Sequence, residues 1–255
     1  RKGLAKLLAE RGVAFVIYEL LANAWDAPGT THVEVTLAPT PGRAAAKLCV
    51  VDDSPNGFSR LEHAWTLSAE SERKRDSHKR GRWNLGEKLV LSLCETAEVI
   101  TTTGGVRFDE AGRHNVRDRT KVGSEFSATM RLTRPQVQEV LEAAVLVIPP
   151  LGVTVTINGT SLPTLEPVRS FQYPLPTEVA DDDGMLRRHR LTTTVALYNP
   201  GTKGSWLCEM GIPVVETDLP WTVDVAQKIP LTLDRVNVAP GFLRELRVPV
   251  LNRMA

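Results

Sequence analysis

The segment YELLANAWDAPG, residues 18 to 29, carries three polar side chains in a run that is otherwise mainly apolar. Glu19, Asn23 and Asp26 follow the spacing i, i+4 and i+7, so they line one face of a predicted helix. A carboxylate on a helix that borders a core loses hydration, and partners or a ligand must offset that loss. The segment alone leaves two interpretations open: a ligand-binding face, and the solvated edge of a structural helix near its C-terminus.

The size and charge of the chain narrow the class of protein. With 42% hydrophobic residues, a chain of 255 residues allows one large globular domain or two small ones. The formal net charge of +1 gives no overall attraction to nucleic acid or membrane, so partners must be inferred from sites. No run approaches the roughly 20 apolar residues of a membrane span. The opening RKGLAKLLAERG is too charged for a signal peptide, and its helical pattern is compatible with a missing upstream piece.

The three cysteines predict the redox compartment. Cys49, Cys94 and Cys208 lie far apart in the sequence, each in or beside an apolar segment, without the close pairs of zinc sites. We interpret them as reduced core residues and expect a cytoplasmic protein.

Hydrophobic patterns predict an α/β chain in two parts. Strands HVEVTLA and AKLCVVD follow the first helix, and the helix GEKLVLSLC comes after a long polar loop. Further strands follow, then a helix opened by Thr133 and a hairpin turn at Asn158–Gly159. Residues 163–184 are rich in Pro, Asp and Glu, which predicts a linker between a domain at 1–162 and a smaller domain at 185–255.

An aspartate ends the second predicted strand, in CVVDDSPNGF. Asp52 could accept a hydrogen bond from an exocyclic amine, and Gly57 could let a flat ring approach the backbone. An ordinary turn has the same composition, and it is the alternative interpretation.

The segment GRWNLGEKL has glycines at the entrance of a predicted helix. It is not a P-loop, because Glu87 separates Gly86 from Lys88 and no Ser or Thr follows the lysine. A loop that enters a helix still presents free N–H groups and a positive dipole end to phosphate.

Three features occur in a characteristic order: Glu-x-x-x-Asn-Ala-x-Asp, a strand-end Asp with a downstream Gly, and a glycine pair before a helix. In this combination the chain resembles the GHKL ATPases, which include DNA gyrase, heat-shock chaperones, histidine kinases and MutL, over about residues 1 to 160. The resemblance implies a two-layer α/β sandwich of GHKL type and a smaller C-terminal α/β unit similar to a transducer domain. It also implies ATP and Mg²⁺ as ligands.

The resemblance gives each matched residue a role. Glu19 looks like the base that orients the attacking water, and Asn23 like the side chain that holds Mg²⁺, with Asp26 in the same nucleotide-binding motif. Asp52 looks like the residue that recognises the adenine amine, followed by Gly57. The residues that would lie along the phosphates are Gly81, Gly86 and Lys88.

Some positions differ from the family pattern. The family usually has Asp-x-Gly-x-Gly, whereas this chain reads DDSPNG, with Ser54 in place of the first glycine and Asn56 as an extra residue. Asn84 stands where glycine is common in the phosphate loop. Ser124, in VGSEF, matches the small hydroxyl residue that often follows a glycine near the adenine pocket.

The dipeptide Gln227–Lys228 resembles a switch of gyrase-like and MutL-like members, in which a second domain sends a lysine into the nucleotide site. The alternative interpretation is a surface lysine at the end of a strand.

A basic cluster between 73 and 82 has three interpretations, namely a solvated loop, a nucleotide lid and a contact to DNA backbone. Its members are Arg73, Lys74, Arg75, Lys79, Arg80 and Arg82.

The sequence therefore favours an ATP·Mg²⁺-binding protein that hydrolyses ATP and couples nucleotide state to domain or subunit rearrangement. The alternative is a nucleotide-gated regulatory module that scarcely hydrolyses ATP and binds a DNA or protein partner. A nucleotide-dependent homodimer is compatible with both functions, and a membrane partner is not expected. A histidine kinase is disfavoured, because no histidine has a convincing helical phosphoacceptor context.

Overall fold

The computed structural model describes residues 12–57, 76–80, 86–180, 186–232 and 237–254, without the side chains of residues 86–89, 180 and 186. The chain divides into two compact units. The described residues of the N-terminal unit are 12–57, 86–145 and 149–163. Those of the C-terminal unit are 76–80, 146–148, 164–180, 186–232 and 237–254.

The N-terminal unit combines one mixed sheet with helices. Its helices are α1 (Phe15–Asp26), α2 (Gly86–Leu93) and α3 (Arg134–Ala144). Its strands are β1 (His32–Pro39), β2 (Ala46–Asp52), β3 (Cys94–Thr101), β4 (Gly104–Asp109), β5 (Gly112–Val116), β6 (Ser124–Met130), β7 (Thr154–Ile157) and β8 (Thr160–Ser161). They form an eight-stranded sheet in the order β5-β4-β3-β6-β2-β1-β7-β8, in which only β1 and β7 pair in parallel.

Alternation along the strands gives this sheet a buried face. In β1, Val33, Val35 and Leu37 are buried while the side chains between them are exposed. Helix α1 packs against β1 and β2 and also contacts α2 and α3. The helices therefore form a second layer on the apolar face, and the predicted two-layer α/β sandwich is confirmed.

Helix α1 ends where the sequence predicts a stop. The Thr30 hydroxyl donates hydrogen bonds to the carbonyl oxygens of Ala24 (2.9 Å) and Ala27 (3.0 Å). These bonds add to those that the same two oxygens accept from the backbone N–H groups of Ala27 (3.2 Å) and Thr30 (3.3 Å). The Thr30 side chain therefore fixes the C-terminal end of α1, which is the end that carries Asn23 and Asp26.

Two local predictions in this unit are also confirmed. Thr133 caps α3 in a capping box with Gln136, because each side chain bonds the other residue's backbone N–H. Asn158 has a φ of 48° in the turn between β7 and β8, as a tight hairpin requires.

The C-terminal unit has its own sheet and core. Its elements are β9 (Arg169–Ala180), β10 (Leu186–Tyr198), β11 (Ser205–Glu209), β12 (Ile212–Thr217), β13 (Thr222–Val225) and α4 (Pro240–Met254). The strand order is β12-β11-β13-β10-β9. A core forms among Leu175, Val195 and Val223 of the sheet and Phe242 and Leu246 of α4.

The predicted linker at 163–184 is wrong over most of its length. Residues Arg169–Ala180 form the 12-residue strand β9, which pairs with β10. Its prolines, Pro174 and Pro176, favoured a linker in the sequence, but β9 lies at the edge of the sheet, where one side of the strand needs no ladder partner. The long continuous part of the C-terminal unit accordingly starts at residue 164 and not at residue 185.

None of the helices in the described part of the chain combines the length and the apolar character that crossing a membrane requires.

Candidate functional site

A cavity opens in the N-terminal unit, lined by helices α1 and α2 and by strands of the sheet. The space it encloses, counted together with open solvent at its mouth, is about 670 Å³. The polar side chains in its lining are those of Asn23, Asp52, Ser124 and Glu125. The cavity therefore brings together three residues that the sequence predicts as nucleotide ligands.

One wall of the cavity is apolar. Val50 of β2 and Val99 of β3 both pair with Phe126 of β6, so their side chains stand side by side on one face of the sheet. Leu20 and Ala24 of α1 also line the cavity. We call this group of apolar side chains from the sheet and α1 the apolar slot, and it can give apolar contact to a planar ring.

The three polar side chains of helix α1 differ in their relation to the cavity. Asn23 lines the cavity, and Glu19 is half-buried one turn earlier on the same side of the helix. Asp26, the last residue of α1, is only 3% exposed and lies outside the lining of the cavity. A ligand that contacts Asn23 and reaches along α1 therefore meets Glu19 next.

The two consecutive aspartates after β2 have different roles. Asp53 accepts hydrogen bonds from the backbone N–H groups of Thr31 (2.7 Å) and His32 (2.8 Å), so it ties the end of β2 to the start of β1. Burial raises the pKa of Asp53, but these bonds and one from the Thr31 hydroxyl outweigh burial and lower it. Asp52, the member of the pair that the sequence predicts as a ligand residue, lines the cavity.

Asp52 is a buried carboxyl group held by donors. It is 8% exposed, and its Oδ1 accepts hydrogen bonds from the N–H (2.9 Å) and the hydroxyl of Ser54. Burial raises the pKa of Asp52, whereas the bonds from Ser54 and from the Ser124 N–H lower it and the charge of Asp53 raises it further. Burial has the larger effect, so the pKa of Asp52 is raised above its ordinary value. The donors act in the opposite direction and favour the ionised form, which can only accept hydrogen bonds.

A glycine pair joins the two loops beside Asp52. Gly57 (φ +59°) and Gly123 (φ +74°) both donate their N–H to the carbonyl oxygen of Ser54. A Cβ on Gly57 would lie 2.6 Å from the Gly123 carbonyl oxygen, and one on Gly123 would lie 1.7 Å from the Asp52 carbonyl oxygen. Gly57 thus shapes the turn and does not line the cavity, whereas Gly123 carries Ser124 to it.

The predicted phosphate loop is partly described. Gly86 is the first residue of α2, and Val90 and Leu91 of the same helix line the cavity. Lys88 lies in the first turn of α2, but its side chain, together with Gly81, falls outside the described residues. Helix α2 therefore borders the cavity through its second half, which follows the described backbone of Gly86 and Lys88.

Lys228 is a buried residue of the C-terminal unit. It is 1% exposed, so the alternative of an exposed strand-end lysine is wrong. Its Nζ donates to the carbonyl oxygen of Asp76 (2.7 Å), and its N–H donates to that of Ser77 (2.9 Å). Arg80 donates to the Met210 carbonyl oxygen from Nε (2.9 Å) and Nη2 (2.7 Å), so it is no solvated loop residue.

Residues 76–80 therefore belong to the C-terminal unit, although they come from the polar loop that the sequence groups with the first domain. Of the basic cluster, only Lys79 and Arg80 fall within the described residues.

Sequence reasoning missed Ser54 as a contributor to the site and read it only as a departure from a glycine pattern. Its signal was present, because a serine two residues after an aspartate commonly donates to that carboxylate. The apolar wall was missed as well, since pairing between β2, β3 and β6 joins positions that are far apart in the sequence.

The N-terminal unit is thus a two-layer α/β fold in which one cavity is lined by a buried carboxyl group and by apolar side chains. A family model described as histidine kinase-, DNA gyrase B- and HSP90-like ATPase matches residues 11–143, which is more than half of the chain. The chain belongs to this GHKL ATPase family. Membership supports ATP binding and ATPase activity.

Comparison with solved structures found similar folds among topoisomerases. The ATPase and transducer domains of DNA topoisomerase II from Balamuthia mandrillaris align at 13% identity with a TM-score of 0.47, covering 77% of this chain and 58% of that one. The ATPase region of Saccharomyces cerevisiae topoisomerase II aligns at 12% identity with a TM-score of 0.45, covering 76% and 59%. This chain thus spans about three fifths of the length of those structures. A comparison with curated proteins found no match.

Proposed function

We propose that the cavity binds ATP·Mg²⁺ and that the chain hydrolyses the bound ATP. The observation that carries this proposal is the buried Asp52 carboxylate at an apolar slot that Asn23 also lines. The slot offers apolar contact to a planar base, and the carboxylate offers an acceptor to its amine. Family membership supplies the rest of the assignment.

The phosphates would extend from the slot along α1 toward the start of α2. The N–H groups that begin α2 at Gly86 favour an anion, because a helix N-terminus combines free donors with a positive dipole end. Gly81 and Lys88 are assigned to the same phosphates through the resemblance alone.

The donor set fits Mg²⁺ bound mainly through the nucleotide. In the described part of the chain, no group of three or more His, Cys, Asp or Glu side chains could hold a metal ion. Mg²⁺ in nucleotide sites typically takes one or two protein oxygens besides phosphates and water, so the amide oxygen of Asn23 meets the requirement. When bound, the ion neutralises charge on the phosphates.

Glu19 would supply the proton acceptor for hydrolysis. As a water oxygen bonds to the γ-phosphorus and the bond to the leaving ADP oxygen breaks, the Glu19 carboxylate takes the proton of that water. In such a reaction the protein mainly positions the water and stabilises charge. A phosphate-release assay on the full chain separates this function from that of a nucleotide-gated module without turnover.

We expect Asp52→Asn to lower affinity for a non-hydrolysable ATP analogue at least about tenfold, since a misplaced polar contact in a buried site costs about 1–3 kcal/mol. The new amide would turn its oxygen toward the two donors of Ser54, which leaves a donor where the adenine amine needs an acceptor. Calorimetry measures the change. Asp109→Asn, in the hairpin of β4 and β5 and outside the lining of the cavity, is the matched control. Unchanged affinity in folded Asp52→Asn removes Asp52 from the site.

Coupling to the C-terminal unit is the second part of the proposal, with Lys228 as the residue that senses the γ-phosphate. The resemblance suggests this role, and the burial of the Lys228 ammonium supports a specific function. A nucleotide-dependent homodimer and a DNA or protein partner stay predictions.

Lys228→Ala is expected to narrow the affinity gap between an ATP analogue and ADP by at least about fivefold, a typical coupling between states. Only a contact that ATP makes and ADP lacks can shift a conformational equilibrium toward one nucleotide. Calorimetry measures the gap, and small-angle scattering should show that analogue-induced compaction is lost. Lys203→Ala, an exposed lysine of the same unit, is the control. If Lys228 only anchors residues 76–80, stability falls and the gap stays constant.

A further inference from the structure

Ser54 stands at a position where the family pattern has glycine, and its hydroxyl group is hydrogen-bonded to Asp52. It is 1% exposed and lies two residues after the end of β2. Its N–H and its hydroxyl both donate to the same oxygen of Asp52, Oδ1. A glycine in this place would keep the first bond and lose the second.

The backbone of Ser54 is fixed as firmly as its side chain. Its carbonyl oxygen accepts hydrogen bonds from the N–H groups of Gly57 (3.1 Å) and Gly123 (2.9 Å). Ser54 is therefore held by two loops, and its hydroxyl has little freedom to leave Asp52. The direction of the Asp52 carboxylate is fixed in consequence.

These bonds leave Asp52 with limited capacity to accept more. An ionised carboxylate has about four acceptor positions on its two oxygens. Ser54 uses two of them, both at Oδ1. The acceptor positions of Oδ2 are left for other donors, and the carboxylate lines the cavity.

We propose that Ser54 is a positioning residue that sets nucleobase specificity at this site. By holding Oδ1, its hydroxyl aims the remaining acceptor of Asp52 at a purine that carries an exocyclic amine. A purine with a carbonyl in the same place brings an acceptor to an acceptor and binds more weakly. This inference rests on the proposed nucleotide site and names the residue that tunes it.

A purely local role for Ser54 is the competing explanation. Serine after aspartate often stabilises a turn by the same hydrogen bonds, without any ligand. Both roles predict lower stability when the hydroxyl is removed. Only the positioning role predicts that affinity falls for one base and not for the other. An inosine nucleotide has a carbonyl in place of the exocyclic amine, so it has no bond from that amine to Asp52 to lose.

The test compares ADP and inosine diphosphate, both with Mg²⁺, by calorimetry on the full chain. In Ser54→Ala, affinity for ADP should fall about tenfold, since a charge-assisted hydrogen bond orients the acceptor. Affinity for inosine diphosphate should stay within about twofold of the starting value, because the group that recognises the base makes no bond to it.

Ser54→Gly provides a second variant, which removes the hydroxyl and keeps the backbone donor, and it should repeat the selective loss. Ser127→Ala is the matched control, because Ser127 lies on β6 outside the lining of the cavity. Circular dichroism checks that each variant is folded. If Ser54→Ala does not fold, the result for Ser54→Gly decides the test.

Each other outcome overturns the inference. An equal loss for both nucleotides assigns Ser54 a structural role, and no loss for either excludes any effect on binding. If the unsubstituted chain binds ADP and inosine diphosphate with equal affinity, Asp52 does not distinguish the two bases, and Ser54 cannot set base specificity through it. If it binds neither, the proposed function fails together with the inference.

Discussion

Replacing Glu19 with alanine is expected to reduce ATP turnover by about 10²–10⁴, the usual contribution of a positioned acid or base. The variant should keep affinity for an ATP analogue within a few-fold. Glu19 is half-buried one turn before Asn23 and lies outside the lining of the cavity, so its carboxylate suits a water beyond the bound ligand. A steady-state phosphate-release assay and calorimetry on the same preparation measure the two quantities.

Two further variants make this test specific. Asn23→Ala should weaken Mg²⁺-dependent binding as well as turnover, because its amide is assigned to the metal. Glu34→Ala removes an exposed glutamate from β1 of the same unit and should change neither quantity. Equal losses of binding in Glu19→Ala and Asn23→Ala would argue against the division of labour between them. Unchanged turnover in Glu19→Ala would exclude Glu19 as the base.

The parts of the site that sequence could predict are local patterns. The polar stripe of α1 is visible because i, i+4 spacing places Glu19 and Asn23 on one face whatever surrounds the helix. Asp52 is visible because an apolar strand ends there and turn residues follow. In both cases the relevant residues are a few positions apart, so short-range geometry is sufficient.

The parts that sequence could not predict depend on distant pairing. The slot wall needs Val50 and Val99 to meet at Phe126, and no local pattern encodes that register. Lys228 reads as an exposed strand end, yet it is buried against Asp76, which lies about 150 positions earlier. The misassigned linker has the same origin, because its prolines are acceptable only once β9 is known to be an edge strand.

Gly123 packs the loop before β6 against the end of β2, next to Asp52. Gly123→Ala is expected to lower the free energy of unfolding by about 3 kcal/mol or more. Part of the cost is local, because its φ of +74° is unfavourable for alanine. The larger part is steric: the new Cβ would lie 1.7 Å from the Asp52 carbonyl oxygen, so β2 and the loop before β6 must separate. That separation would also move Ser124, whose N–H bonds Asp52, and the fraction that still folds should lose affinity for an ATP analogue.

Gly42 is a matched control for the backbone cost. It has the same φ of +74°, but a Cβ there meets nothing within 4 Å. Gly42→Ala should therefore cost only about 1 kcal/mol, the conformational part alone. Urea unfolding compares the midpoints of the two variants and, through the slope, the surface each exposes. Equal midpoints would mean that the loops can part freely at Gly123, and the fixed acceptor geometry of Asp52 would lose its structural basis. A much lower midpoint for Gly123→Ala, with lost analogue binding, would tie the fold of this loop pair directly to nucleotide recognition.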